Sequence, residues 1–191
     1  DELGIEPAGD VASLRGEHVH VGSMKLPANE EVVLTDVQGN AMEIVAEIDT
    51  GDAPMVEMNV LRAPDKREYT RIAFFRERGY RNWERYTGWE PDKLRRATDS
   101  LITIDSSYAS VLPDVQSRAP ETGPVYLAPE EPLKLRVFVD KSIVEVFVNG
   151  RQCIALRVYP GHEDSVGVSL RAQGRDAALT SLDAWQMKRI Y

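Results

Sequence analysis

Residues 133–158 constrain the fold of this chain more than any other stretch. Leu133, Leu135, Val137 and Val139 alternate with Lys134, Arg136 and Phe138. Successive side chains of an extended backbone point to opposite faces, so a period of two predicts a half-buried strand. The polar step Asp140-Lys141-Ser142 follows, then residues 143–148, apolar on both faces except for Glu145. Such a run predicts a strand in the interior of a sheet. Asn149-Gly150 supplies a two-residue turn of the kind that needs positive φ at both positions. Residues 151–158 return and end at Pro160-Gly161. The unit reads as a three-stranded antiparallel meander.

The same period recurs at residues 42–48, where Met42, Ile44, Ala46 and Ile48 share a face, and at 69–75. Shorter strands are expected at 31–37, 55–61, 101–104, 165–170, 177–182 and 185–190. Many short strands at regular spacing predict an all-β, two-sheet antiparallel sandwich of jelly-roll or concanavalin-like type. Helical signal is confined to single turns at 91–96 and 113–118. Residues 1–13 mix glycine, proline and acids and read as a linker from a preceding domain; residues 14–191 read as one sandwich domain. Pro120, Pro124, Pro129 and Pro132 mark residues 118–132 as an irregular surface loop.

The 191 residues carry 23 Lys and Arg against 31 Asp and Glu, a formal net charge of −8. That balance repels phosphate backbones and anionic lipid, which argues against nucleic-acid or membrane partners. Cys153 is the single cysteine, so neither an internal disulfide nor a CxxC zinc site is available. No apolar run approaches the roughly 18 residues of a membrane helix. The opening Asp1-Glu2-Leu3-Gly4 suggests a processed product or a piece of a longer protein, and the compartment stays open. Nothing calls for a cofactor.

Three groups of residues invite a chemical reading. His18 and His20 share a face if they lie on a strand, but no third ligand stands near them in the sequence, so no metal site is assigned. Asp140 and Glu145 are a carboxylate pair of the kind glycoside cleavage uses at about 5–5.5 Å. The plainer reading is a turn acid, and a strand acid paired to Arg136 or Arg157. Tyr80, Trp83, Tyr86 and Trp89 recur every three residues, interleaved with Arg81 and Arg85. Aromatic faces stack on sugar rings and guanidinium groups bond hydroxyls, while the same residue types anchor protein interfaces. Carbohydrate contact and domain interface are both expected roles for these six.

The run Asp140-Lys141-Ser142-Ile143-Val144-Glu145-Val146-Phe147, behind its apolar strand, resembles the D-[RK]-S-x-[VI]-E-[VLI]-F pattern in the C-terminal β-sandwich of glycoside hydrolase family 32. That family comprises the invertases, levanases and inulinases. The likeness continues through Arg157-Val158-Tyr159-Pro160 and Ser165-Val166-Gly167-Val168, and closes on Ser181-Leu182-Asp183-Ala184-Trp185. Upstream, Leu101-Ile102-Thr103-Ile104-Asp105-Ser106-Ser107 is similar to the family's strand ending in D-R-S, with Ser106 where arginine is usual. Residues 79–98 depart from the pattern. The family's chemistry sits on an N-terminal five-bladed propeller with acids in W-M-N-D-P-N-G, R-D-P and E-C motifs, and none of these occurs here. Arg175-Asp176 is followed by Ala177, and Cys153 is preceded by Gln152. Retaining hydrolysis needs both a nucleophile and an acid. The resemblance therefore implies a non-catalytic accessory module, inactive alone, that supports a propeller outside this chain. A fructan-binding module, or a protein-interaction or homo-oligomer sandwich, are the alternatives.

Overall fold

The computed structural model describes residues 4–78, 99–116, 119–128 and 130–188. Thirteen strands are described: β1 (Arg15–Val21), β2 (Met24–Leu26), β3 (Glu31–Gln38), β4 (Ala41–Asp49), β5 (Met55–Arg62), β6 (Thr70–Phe75), β7 (Ser100–Asp105), β8 (Glu121–Val125), β9 (Leu133–Asp140), β10 (Ile143–Val148), β11 (Gln152–Arg157), β12 (Gly167–Gln173) and β13 (Ala177–Met187). They form two antiparallel sheets. Sheet A runs β1-β13-β4-β9-β10-β11, with β2 also on β13, and sheet B runs β3-β12-β5-β6-β7-β8. The expected sandwich is what the chain forms.

Alternation builds the core. Met42, Ile44, Ala46 and Ile48 of β4 meet Val139, Val137, Leu135 and Leu133 of β9 across the register. These eight pack against Val56, Met58, Ile72, Phe74, Ile102, Ile104 and Leu170 of sheet B in one buried cluster. Two facing inner layers that exclude water are the main favourable term in such a fold. The meander forms, with β10 pairing β9 and β11, and Asn149 at φ 48° and Gly150 at φ 63° turn the chain, but Val148 pairs with Gln152, so the loop expected to hold two residues holds three and β11 starts one residue later than expected.

Other expectations need correcting. Residues 177–182 and 185–190, read as two strands, belong largely to the continuous β13. A register shift between Leu179 and Ser181 changes which residues face inward, from Ala177 and Leu179 to Leu182 and Ala184, and mimics a break. Within the stretch read as irregular, residues 121–125 pair with β7 as an edge strand, a position that tolerates Pro124. The strand expected at 165–170 begins at Gly167 and extends to Gln173.

The leading segment crosses sheet A. The amide of Ile5 bonds the Gly150 carbonyl at 2.8 Å, and the amide of Lys188 bonds the Leu14 carbonyl at 2.8 Å, next to the start of β1. These anchors stand at opposite corners of the sheet. Strand spacing and rise put them about 30 Å apart. A short 3-10 turn at Val11–Leu14, capped by Asp10, ends the crossing.

Candidate functional site

Tyr80, Arg81, Trp83, Arg85, Tyr86 and Trp89 lie outside the described residues. The segment that carries them leaves after β6 and returns into β7. Its flanks are joined by a bond from the Glu77 amide to Ser100 Oγ at 3.0 Å. In register terms this is the end of the sandwich that also holds Gly150 and Ile5.

His18 and His20 do share a face of β1, and the neighbouring strand supplies their partner. His18 Nε2 and His20 Nδ1 lie 2.8 and 2.9 Å from the same oxygen, Asp183 Oδ1. Hydrogen bonding to His20, then to His18, outweighs slight burial and holds the Asp183 carboxyl below its usual range. The His18 ring stacks on Trp185 at 4.8 Å, and the Arg15 guanidinium lies 3.8 Å from that indole. Among the described residues no group of three ligands is disposed to hold a metal ion.

Asp140 and Glu145 are both exposed. Arg136, one of the two suggested partners of Glu145, is committed elsewhere. Its Nε donates to Glu43 Oε1 at 2.7 Å, while Arg15 bonds both oxygens of the same carboxylate at 2.8 Å. Glu43 is fully buried on the outer face of sheet A. Burial pushes its carboxyl up, but hydrogen bonds from Arg15 and Arg136 prevail and hold it below the ordinary range. The sequence singles out neither this trio nor a comparable cluster of four on sheet B. There Glu31 accepts from Arg62, Ser169 and Lys66, which overcome desolvation and bring its carboxyl down to about 2.

The opposite end of the sandwich has the shape of a binding surface. Glu68, fully buried, gathers three loops around its carboxylate. Oε1 accepts from the amides of Val111 (2.7 Å) and Gly161 (2.8 Å), and Oε2 from the amide of His162 (3.1 Å) and Ser165 Oγ (2.7 Å). Desolvation raises its carboxyl, but these four donors more than offset that and leave it below the ordinary range. Tyr69 stacks on Tyr108 at 5.1 Å beside them. Two grooves open around this clamp. One, of about 290 Å³, runs between the β7–β8 loop and β11; the other, of about 480 Å³, runs between Leu112 and residues 158–166. Both are lined by Val158 and Tyr159. Tyr108, Val111, Leu112 and Tyr159 leave 41–54% of their surface exposed here. That concentration of large apolar side chains marks a contact surface. Only Tyr159 falls within a stretch the sequence had singled out.

These two facing antiparallel sheets, joined by loops at both ends, define the class as an antiparallel β-sandwich. The model of the family "Glycosyl hydrolases family 32 C terminal" matches residues 10–186, and the chain belongs to that family. Among curated relatives, an insoluble β-fructofuranosidase isoenzyme of Daucus carota is 26% identical over 202 residues, covering 95% of this chain and 34% of that protein. A raffinose invertase of Escherichia coli is 45% identical over 64 residues, or 33% of this chain and 13% of that one. The chain thus spans about a third or less of these relatives. Among solved structures, fructan 1-exohydrolase IIa of Cichorium intybus superposes with a TM-score of 0.77 at 17% identity, over 96% of this chain and 38% of that one. Sucrose-6-phosphate hydrolase of Lactobacillus gasseri gives 0.64 at 19% identity, over 100% and 32%. At such identities the structural likeness speaks for the fold.

Proposed function

We propose that this chain is the non-catalytic sandwich of a β-fructofuranoside-cleaving enzyme and that it packs against a catalytic propeller lying N-terminal to it. One observation carries the reading: a family described as C-terminal matches nearly the whole chain, which spans only about a third of a β-fructofuranosidase. Function resides in sites rather than folds, and the sequence motifs that hold the family's acids are absent. The direction of entry adds support. A preceding domain joins at Ile5, beside Gly150, and the aromatic segment 79–98 is rooted at the same end of the sandwich. On this reading Trp83 and Trp89 belong to the domain interface, with fructan contact the alternative role.

The test compares the chain alone, a catalytic domain alone and the two joined. The chain alone hydrolyses no sucrose, and joining it raises the melting temperature of the catalytic domain. Trp83→Ala with Trp89→Ala weakens the association of separately made domains at least about tenfold, as loss of interface anchors does. Sucrose turnover by the purified chain refutes the reading.

A further inference from the structure

We propose that the 290 Å³ groove between the β7–β8 loop and β11 is a carbohydrate site, with the ring of Tyr159 as its platform and β-fructofuranosyl oligomers as its ligands. Only the identity of the sugar rests on the function proposed above; the chemical class follows from the lining. With the adjoining 480 Å³ groove, the space falls within the range of small-ligand sites, roughly 300–1,000 Å³.

Charge comes first. Among the described residues that line the groove, Arg157 and Glu121 are the charged ones and they balance, which suits a neutral ligand. Polarity comes next. Ser106 and Gln116 both donate and accept, which suits hydroxyl groups that do the same. Among the described residues, no side-chain hydrogen bond engages Ser106, Gln116, Glu121 or Arg157. Leu156 and Val158, both buried, bring apolar atoms to the lining, while Tyr159 is 47% exposed. An exposed ring together with unspent polar groups matches the mixed C–H and O–H surface of a sugar.

Preorganisation is the second line of argument. The loops on either side of Tyr159 are fixed without a ligand, because Glu68 ties Val111 to Gly161 and His162 through one carboxylate. The Tyr69–Tyr108 stack braces the same loops. A site already ordered spends little of its binding energy on ordering.

The experiment is a titration of the ¹⁵N-labelled full chain with short inulin-type and levan-type oligomers, with maltooligomers as the comparison. Shifts at residues 106–116 and 155–159 with a fructan, and weakening of about tenfold or more in Tyr159→Ala, are expected. Gln116→Ala provides a second variant in case the first disturbs the fold; each is compared only after its melting curve overlays that of the parent. Absence of shifts at saturating fructan overturns the proposal. So does binding that survives both variants, or that is lost only on Trp83→Ala, or that favours maltooligomers. The two readings fail separately: stabilisation of a catalytic domain tests the accessory role with no sugar present, and Tyr159→Ala leaves that stabilisation unchanged.

Discussion

Replacing Glu68 with glutamine removes one charge and changes almost no volume, so it isolates what the carboxylate does. The two donors on Oε1, from Val111 and Gly161, still find an oxygen. The two on Oε2 meet an amide NH₂ instead. The Ser165 hydroxyl can turn and accept, but the His162 amide cannot, and it is orphaned. One buried donor left unmade costs about 1–3 kcal/mol, and the surviving bonds lose charge assistance worth about half their strength. The sum is about 3 kcal/mol, which for a chain of this size lowers Tm by roughly 6–12 °C. Urea unfolding of both proteins measures it, with the slope m unchanged if only the folded state is affected. The pH dependence has a definite sign. The folded carboxyl lies below its ordinary value, so its contribution is complete above the unfolded pKa of about 4.3 and is lost as pH falls through the folded one. The gap between parent and Glu68→Gln therefore narrows only below about pH 4.3. A gap under 1 kcal/mol at neutral pH, or one that stays constant into acid, refutes the claim that this carboxylate holds the loop end together.

Two further outcomes test the same physics elsewhere. Glu31, brought down to about 2 by Arg62, Ser169 and Lys66, should contribute stability that fades between about pH 4.3 and 2; side-chain carboxyl NMR of parent and Glu31→Gln reads it, and a midpoint near the ordinary value would contradict it. A Cβ on Gly167 would stand 2.9 Å from the Arg62 carbonyl oxygen, a backbone atom that cannot swing aside, so Gly167→Ala should cost about 1–3 kcal/mol by overpacking in chemical denaturation.

The sandwich was legible because its signal is local. Alternation in residues 42–48 and 133–139 selects the inward face before any pairing is known, and Asn149-Gly150 marks where one hairpin turns. The signal failed where pairing overrides it. In β13 the shift at Leu179/Ser181 swaps the inward phase within one strand. The strand expected at 55–61 does form, as β5, but all eight of its residues are buried, Glu57 and Asn59 included, which its sequence does not show. The carboxylates that organise the surface were illegible for another reason. Glu43 finds Arg15 and Arg136 at separations of 28 and 93 residues, and Glu68 finds Gly161 at 93. A buried acid reads in sequence like any exposed one until the sheets bring its donors to it. The grooves around Tyr159 share that origin, since their walls come from loops that meet only after both sheets have formed.

The two ends of the sandwich are built for different neighbours. On the reading proposed above, a preceding domain would attach at the Gly150 end, where the Ile5 amide bonds the Gly150 carbonyl. The Tyr159 grooves open at the other end, about 20 Å away along strands of six residues at 3.3 Å each. On the proposed reading the groove engages a second stretch of a polymer, away from the end at which a preceding domain would attach. Holding a second stretch of the same chain raises the local concentration of its cleavable end, an effect that grows with polymer length and vanishes for a disaccharide too short to touch both sites. Substrate length thus separates a sugar-binding Tyr159 from one that merely packs.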